Sequence, residues 1–314
     1  MKIKQGVRLD QFTTFKVGGP AEFFTEVNNK DDLIEAIKWA EQKNKKASIL
    51  GGGSNVLVNS EGVRGLVIKI NNQDISLVDE DNIMCGAGAS LVSVFTFSTK
   101  QNLSGFEWAI GIPRATIGGS LRGNAEAFGV SMSDLVENVE VFDLDKKEFY
   151  YLDNSMCNFS YRDSIFKEKK NLLIWKVIFR LKKEKEVIVK DLVKQTLAHR
   201  GKNYPKFPNA GSVFQNSISF EEIKEKNPKL AEYMVRNGKI SRLGNVASGF
   251  LIDYLDLKGK KIGGAQVSEK HANFIVNTGG ATSDHIAMLI AYIKQQVRDK
   301  LHIQLKEEIQ YFGF

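Results

Sequence analysis

A run of three glycines constrains the fold of this chain more than any other feature. The stretch Ile49–Val58 joins two short apolar segments through a turn made of Gly51, Gly52, Gly53, Ser54 and Asn55. Glycine has no Cβ, so it adopts positive φ angles and lets backbone N–H groups converge on a phosphate or pyrophosphate. The stretch predicts a turn between two strands. That turn either holds a nucleotide cofactor or is an ordinary glycine-rich loop, since a lone glycine run is a weak motif.

Two further glycine-rich segments favour the first alternative. One is the pair Gly18-Gly19, and the other is the stretch Ile110–Ala125. Tight packing between elements would explain one such loop, whereas several in one half of a chain favour a large flat cofactor that carries a pyrophosphate. Neither the Gly-x-Gly-x-x-Gly turn of a Rossmann unit nor a P-loop Gly-Lys-Ser/Thr occurs, so the usual dinucleotide and ATP signatures are absent.

Hydrophobic periodicity along the chain predicts a mixture of helices and strands. Alternating or β-branched segments indicate strands, and apolar stripes at helical spacing indicate helices. The main predicted strands are Glu22–Val27, Val63–Ile70, Ile83–Cys85, Val139–Asp143, Phe149–Leu152, Trp175–Leu181, Lys260–Val267, Asn273–Asn277 and Ile303–Leu305. The main predicted helices are Asp31–Lys43, Ser90–Lys100, Val187–Arg200, Gly249–Leu255 and Ser283–Lys300. In the helix Val187–Arg200, a stripe of Val189, Leu192, Val193 and Leu197 is expected to share one face.

Composition narrows the class of protein. The 314 residues suffice for two or three domains, and 42% apolar with 26% charged residues are typical of a folded globular chain. No apolar run is long enough to cross a membrane and no signal-type segment follows Met1, so we expect a cytoplasmic protein. Cys85 and Cys157 lack the spacing of a metal site and are predicted to be buried small hydrophobes, with no metal bound.

The charge balance indicates the kind of partner. The formal net charge is +7, but the lysine clusters are dispersed and lack the interleaved aromatic residues of a nucleic-acid surface. Anionic small molecules are therefore the expected partners, rather than nucleic acid or a membrane.

Six motifs, in order along nearly the whole chain, resemble those of the UDP-N-acetylenolpyruvoylglucosamine reductases, flavin enzymes of peptidoglycan precursor synthesis. They are Thr13–Ala21, Gly51–Val58, Gly111–Asn124, Tyr161–Ser164, Ala210–Asn216 and Val267–Phe274. The resemblance implies an α+β chain with an FAD-binding fold of the vanillyl-alcohol oxidase type, made of two α+β subdomains (residues 1–64 and 65–195), followed by an α+β substrate domain (residues 196–314). It also implies FAD as cofactor, NADPH as co-substrate, a UDP-sugar substrate and a monomeric protein.

The resemblance also implies cofactor contacts in both glycine-rich loops. The matching residues of the first loop are the five turn residues named above, with their N–H groups and Ser54 around the pyrophosphate. Those of the second loop are Pro113, Thr116, Gly118, Gly119 and Asn124. The chain lacks the Tyr-containing insertion of one family subtype, and so is similar to the shorter subtype.

Reduction of an enolpyruvyl ether needs a hydride, a stabiliser for the carboxylate and a proton donor. Flavin supplies the hydride, which no side chain can. By resemblance, Arg162 is the stabiliser, because a guanidinium matches a carboxylate and stays charged. Ser212 is the implied proton donor and Glu308 the third catalytic residue, with Glu307 as the alternative for the latter. His271 is expected to orient a loop rather than to act as an acid or base.

Substrate binding is assigned by the same resemblance to Tyr161, Arg200 and Asn216. The chain departs from the family pattern at four positions. Tyr204 replaces a Lys or Gln, Ser217 replaces the proline that commonly follows Asn216, Arg114 adds a residue to an Ile-Pro-Gly-Thr turn, and Glu126 replaces the glycine of Asn-Ala-Gly. The last two adjoin the expected flavin site, so two alternatives stay open: a flavin-dependent oxidase of the same fold, and a non-catalytic nucleotide-binding protein.

Overall fold

The computed structural model describes residues 1–240 and 244–314. In chain order, the helices are α1 (Lys30–Gln42), α2 (Leu91–Lys100), α3 (Ile117–Arg122), α4 (Ile165–Glu168), α5 (Glu186–Asn203), α6 (Phe220–Lys226), α7 (Pro228–Arg236), α8 (Ser248–Tyr254) and α9 (Ser283–Leu301). The strands of the first half are β1 (Lys4–Arg8), β2 (Pro20–Val27), β3 (Ala47–Leu50), β4 (Val56–Val58), β5 (Val63–Ile70), β6 (Ile75–Leu77), β7 (Asn82–Gly86), β8 (Leu103–Ser104), β9 (Glu126–Ala127), β10 (Val130–Ser131), β11 (Val136–Asp143) and β12 (Glu148–Asp153). Those of the second half are β13 (Leu172–Arg180), β14 (Lys182–Lys183), β15 (Ile218–Ser219), β16 (Asn245–Val246), β17 (Lys261–Ile262), β18 (Ala265–Val267), β19 (Ile275–Asn277) and β20 (Gln310–Phe312).

The chain divides into two compact units. The first comprises Met1–Val7, Ala21–Gly53 and Arg64–Lys202, and the second comprises Arg8–Pro20, Ser54–Val63 and Asn203–Phe314. Within the glycine turn the boundary therefore falls between Gly53 and Ser54. The predicted boundary near residue 195 lies seven residues before this division, inside α5. The predicted subdivision of the flavin-binding part at residue 64 stays a prediction.

The first unit is built on two sheets. One has the strand order β1-β2-β5-β3 and the other the order β12-β11-β13-β7-β6. Helix α1 begins where Asn29 accepts a hydrogen bond from the Asp32 N–H at 2.8 Å, and it buries a helical stripe of Leu33, Ala36, Ile37 and Ala40. The sheets and helices share one apolar core that includes the fully buried Trp175.

The two cysteines belong to this core. Cys85 and Cys157 are both free thiols with no exposed surface. Burial raises the pKa of the Cys85 thiol, and burial together with the nearby Asp153 raises the pKa of Cys157 to about 12. The prediction that they are buried small hydrophobes is confirmed.

The second unit has its own core around α9. This helix begins at a capping box in which the Thr282 side chain accepts from the His285 N–H at 3.2 Å, and it buries Ile286, Leu289, Ile290, Ile293 and Val297. Strand β4 pairs in parallel with β20, whereas β3 pairs in parallel with β5 of the first unit. The two strands that flank the glycine turn are thus present as predicted, and each belongs to a different sheet.

Three sequence-based expectations are wrong in detail. The stripe predicted for α5 is only partly buried: Val189 lies in the core together with Thr196, seven positions later, while Leu192 and Leu197 are 40% and 46% exposed. The segment Ile303–Leu305 buries its apolar residues but does not pair as a strand. The strand of this region is β20, which begins five residues later. The segment Lys260–Val267 is a hairpin of β17 and β18 rather than one strand.

Among residues 1–240 and 244–314, no helix has both the length and the apolarity needed to span a bilayer.

Candidate active site

The glycine turn at residues 51–53 and the glycine-rich segment Ile110–Ala125 contact each other in the first unit. The Gly52 N–H donates to Thr116 Oγ1 at 3.2 Å, and Arg114 Nε donates to the Gly52 carbonyl at 3.4 Å. A Cβ on Gly51 would lie 3.1 Å from Thr116 Oγ1, and a Cβ on Gly52 would collide with the Arg114 carbonyl. The close approach of the second loop therefore requires glycine at position 52 and leaves little room for a side chain at position 51.

The same loops border an open cleft of about 160 Å³. Its lining consists of Gly52, Lys69, Gln73, Gly88, Ser90, Arg114 and Thr116. A cleft lined by glycine backbone, hydroxyls and two cations suits the phosphoryl groups of an anionic ligand. Sequence reasoning missed Lys69, Gln73, Gly88 and Ser90. The one available signal was Lys69 itself, which interrupts the apolar run of β5 one residue before its end.

The remaining predicted cofactor residues of the second loop occupy different surroundings. A Cβ on Gly118 would lie 3.0 Å from the Cβ of Ala87, so close packing explains this glycine. A Cβ on Gly119 would lie 3.3 Å from Thr116 Oγ1, and Pro113 is exposed. Gly119 and Pro113 therefore lie beside the contact between the two loops, whereas Gly118 packs beneath it.

The Tyr-Arg motif is joined to the far end of the second loop. Asn124 Nδ2 donates to the Ser160 carbonyl at 3.0 Å, and Ser164 Oγ donates to the Arg122 carbonyl at 2.8 Å. Asn124 is 5% exposed, and its Oδ1 accepts from the Ser133 N–H at 3.0 Å. Asn124 therefore fixes the Tyr-Arg loop against the second glycine-rich segment.

Arg162 forms hydrogen bonds through both its side chain and its backbone. Its Nη2 donates to the Glu126 carbonyl at 3.3 Å, and its own carbonyl accepts from Lys167 Nζ. Its φ of 56° lies in the left-handed region, which is rare for a residue with a side chain. The guanidinium carbon lies 5.6 Å from the Tyr161 ring centre, so the two predicted residues of this motif are together. Because the residue at position 126 contributes its carbonyl, the substitution of Glu126 for glycine leaves this contact intact.

In the second unit, the structure brings the segments of Ser212 and Glu308 together. The Glu308 N–H donates to the carbonyl of Val213, which follows Ser212, at 2.7 Å. Phe214 and Glu307 form a bridge of antiparallel type, and the Gln215 N–H donates to the Lys306 carbonyl at 2.8 Å. Two of the three predicted catalytic residues therefore lie on adjacent strand-like segments, while Arg162 belongs to the first unit.

A buried asparagine holds the other side of the Ser212 segment. Asn273 is 1% exposed; its Oδ1 accepts from the Phe214 N–H at 2.9 Å and its Nδ2 donates to the Phe214 carbonyl at 2.8 Å. Its own carbonyl accepts from the Val213 N–H at 2.8 Å. His271 Nδ1 accepts from the Asn273 N–H at 3.3 Å, a loop-orienting contact of the kind expected for this histidine. The sequence motif contained Asn273, but nothing in it indicated this role.

The two neighbouring glutamates differ in their contacts. Glu307 Oε1 forms an ion pair with Lys294 Nζ at 2.6 Å. Burial, together with a hydrogen bond to Glu307, raises the pKa of Tyr311. The Glu307 carboxylate is therefore engaged by structural partners, which favours Glu308 as the reactive carboxylate.

The polar end of the glycine turn reaches this region of the second unit. Asn55 Nδ2 donates to the Glu308 carbonyl at 3.2 Å, and the Gln310 N–H donates to the Asn55 carbonyl at 3.0 Å. Within the described residues, Asn55 Oδ1 is buried and receives no hydrogen bond, as expected for an atom that a bound ligand satisfies. The Ser54 carbonyl accepts from Thr14 Oγ1 at 3.5 Å. Gly53, at the unit boundary, has a φ of 69°.

The predicted substrate residues have protein contacts of their own. Arg200 Nη2 donates to the Trp108 carbonyl at 2.9 Å, and its guanidinium carbon lies 5.8 Å from the Phe128 ring centre. Asn216 Oδ1 accepts from the Ser248 N–H at 2.9 Å at the start of α8. Tyr204 packs on Phe274, with ring centres 5.1 Å apart. Substrate contacts of Tyr161, Arg200 and Asn216 stay predictions, and Tyr204 is the departure from the family pattern noted above.

Comparison with known proteins covers both units. Residues 203–312 match the family described as "UDP-N-acetylenolpyruvoylglucosamine reductase, C-terminal domain", and residues 21–147 match "FAD binding domain". Similar proteins named UDP-N-acetylenolpyruvoylglucosamine reductase occur in Caldanaerobacter subterraneus subsp. tengcongensis (35% identity, covering 97% of this chain and 92% of the relative) and in Pseudothermotoga lettingae (36% identity, 98% and 97%). The crystal structure of UDP-N-acetylenolpyruvylglucosamine reductase from Thermus caldophilus matches with a TM-score of 0.79 at 28% identity, covering 99% of each chain.

These matches confirm the resemblance of the six motifs and the α+β fold with an FAD-binding domain. By its sequence and fold, the chain belongs to the UDP-N-acetylenolpyruvoylglucosamine reductase family.

Proposed function

We propose that this chain is an FAD-dependent oxidoreductase that reduces UDP-N-acetylenolpyruvoylglucosamine to UDP-N-acetylmuramate in peptidoglycan precursor synthesis, with NADPH as the source of electrons. Family membership supports the reaction. The observation that carries the mechanism is the pairing of the Ser212 and Glu308 segments through the 2.7 Å hydrogen bond from the Glu308 N–H to Val213.

The chain's own residues then divide the work. FAD, when bound, supplies the hydride. Arg162 offers a planar, permanently charged fork for the substrate carboxylate, where negative charge increases during reduction. Ser212 delivers the proton to the carbon next to the carboxylate, which a hydroxyl can do only from within hydrogen-bond reach because it is a weak acid. Glu308 orients or supports that proton transfer.

Cofactor binding is assigned to the two contacting glycine-rich loops. We propose that residues 51–55 of the first loop hold the pyrophosphate side of FAD. Pro113, Thr116, Gly118, Gly119 and Asn124 serve as the second-loop contacts. The buried, unsatisfied Asn55 Oδ1 supports a ligand there, within the part of the chain that the structure describes. Tyr161, Arg200 and Asn216 are assigned to the UDP-sugar.

A half-reaction experiment tests this function. Ser212→Ala should leave flavin reduction by NADPH unchanged and slow flavin reoxidation by the enolpyruvyl substrate by about 10²–10⁴-fold. Anaerobic stopped-flow absorbance at the flavin bands measures both steps. Equal loss in both half-reactions would remove Ser212 from the proton-donor role.

The same mixing experiment tests the first alternative, and the colour of the purified protein tests the second. A flavin oxidase would be reoxidised rapidly by oxygen and not by the enolpyruvyl substrate. A non-catalytic protein would be colourless after purification and would not take up FAD. Arg114 and Glu126 are accommodated by the contacts described above, which favours retention of the flavin.

We further infer that the enzyme acts on its nucleotide substrates as a monomer in the cytoplasm. Light scattering on the purified holoenzyme would contradict the first part of this inference if the mass found exceeded the 35.2 kDa of one chain.

A further inference from the structure

Two cations share the cleft of the first unit without a carboxylate between them. Lys69 on β5 and Arg114 in the second glycine-rich loop both line it. In the described part of the chain, neither has an ion-pair partner within 4.0 Å, and the side chain of Arg114 donates a 3.4 Å hydrogen bond to the Gly52 carbonyl.

Lys69 is a partly buried cation with a second cation close to it. Burial lowers the pKa of the Lys69 amine, the attraction of Glu26 on β2 opposes this, and the charge of Arg114 lowers the pKa further. A half-buried ammonium beside a second cation costs free energy that a bound anion would recover.

The backbone at Arg114 adds an independent observation. Its φ is 59°, in the left-handed region that is unfavourable for a residue with a side chain. Glycine would avoid this strain. An arginine kept in this conformation, at the border of a cleft, is the kind of backbone outlier that accompanies ligand contacts.

We propose that Lys69 and Arg114 together bind the diphosphate of the dinucleotide cofactor in this cleft. The proposal rests on the function above only in taking FAD as the ligand. Two adjacent phosphoryl groups match two adjacent cations, and the guanidinium fork can bind one of them through two parallel hydrogen bonds. Gly52 and Gly88 line the same cleft as the two cations. Arg114, the residue that departs from the family turn, thereby becomes a cofactor contact.

The test measures cofactor retention rather than activity. Holoenzymes carrying Lys69→Met and Arg114→Gln are washed by ultrafiltration at increasing salt, and the retained FAD is measured by absorbance. Lys38→Met is the matched control, because Lys38 is an exposed lysine on α1 of the same unit. Lys69→Arg keeps the charge.

We expect each charge-removing variant to weaken FAD binding by about tenfold, with Lys69→Arg and Lys38→Met close to the parent protein. We also expect the parent to lose FAD more readily as salt rises, and the variants to show a shallower salt dependence. The salt dependence of the parent keeps the proposal testable even where a variant does not fold.

Three outcomes would overturn the proposal. One is an affinity of Lys69→Met and Arg114→Gln for FAD equal to that of Lys38→Met. Another is FAD retention by the parent that does not respond to salt. A third is an unchanged FAD affinity with a raised KM for NADPH or the UDP-sugar, which would assign the cations to a substrate phosphate. In each of these cases a yellow, active parent enzyme would leave the proposed function standing.

Discussion

Glu307 and Glu308 are adjacent residues of the same type that have different contacts. The Glu307 carboxylate is occupied by Lys294 at 2.6 Å. The Glu308 backbone is tied to the Ser212 segment through Val213 at 2.7 Å. Sequence alone left these two glutamates as alternatives, because alignment to a short motif is uncertain by one position.

We predict that Glu308→Gln slows flavin reoxidation by the enolpyruvyl substrate by about 10²-fold or more, because the amide cannot exchange a proton. Flavin reduction by NADPH should be unaffected. Glu307→Gln is the matched control, and it should change both half-reactions by less than about threefold, since it removes an ion pair that is partly exposed. Stopped-flow absorbance measures both steps. A larger effect of Glu307→Gln would reverse the assignment.

At the scale of elements, the segment of residues 211–215 is fixed on two sides. The segment of residues 306–308 bonds to one side, and Asn273 bonds to the other through both its side chain and its backbone. A short strand-like segment without a sheet of its own depends on such contacts, because buried backbone groups must be hydrogen-bonded.

We predict that Asn273→Ala lowers the free energy of unfolding by about 2–4 kcal/mol, because it leaves the buried N–H and carbonyl of Phe214 without partners. It should also slow flavin reoxidation by substrate while leaving flavin reduction by NADPH intact, since the Ser212 segment loses its fixed position. Chemical denaturation and stopped-flow measure the two effects.

Asn237→Ala provides the control for this change. Asn237 is an exposed residue whose Nδ2 donates to the Tyr233 carbonyl at 2.8 Å at the end of α7, so its loss should cost less than about 0.5 kcal/mol. Asn273→Asp keeps the acceptor for the Phe214 N–H and should give an intermediate result. Equal effects of Asn273→Ala on both half-reactions would reduce Asn273 to a purely structural residue.

At the scale of the whole molecule, each unit has its own apolar core, so more than one unfolding transition is expected. The three tryptophans, Trp39, Trp108 and Trp175, all belong to the first unit. Intrinsic tryptophan fluorescence therefore reports on the unit that carries the FAD-binding domain, whereas calorimetry detects both units.

We predict that removal of FAD lowers the thermal midpoint seen by tryptophan fluorescence by about 5–10 °C, because a ligand present at about 100 times its Kd stabilises the folded state by about 2.7 kcal/mol. Adding FAD back should restore the midpoint. Calorimetry on the same samples identifies the other transition. A midpoint of tryptophan fluorescence that is insensitive to FAD would contradict cofactor binding by the first unit.

Much of the fold could be predicted from the sequence because its signals are local. The stripe of α9 and the β-branched run of β5 each report their own burial, and the glycine turn marks the break between β3 and β4. The failures were non-local. Ile303 and Leu305 are buried as their alternation indicates, but only the tertiary structure shows that the strand forms later, at β20. Of the stripe predicted for α5, Leu192 and Leu197 are exposed, because a helical face is buried only where a neighbouring element covers it.

The sequence by itself determined the family, the α+β class and the residue types of the site, because motifs and periodicities are written in neighbouring residues. Tertiary structure decided which of those residues meet. It joined the segment of Ser212 to the segment of Glu308 and engaged the Glu307 carboxylate with Lys294. It placed Asn273 behind the Ser212 segment and brought Lys69 to the cleft beside Arg114. These contacts join residues tens of positions apart, and their geometry follows from the packing of whole elements rather than from any local pattern.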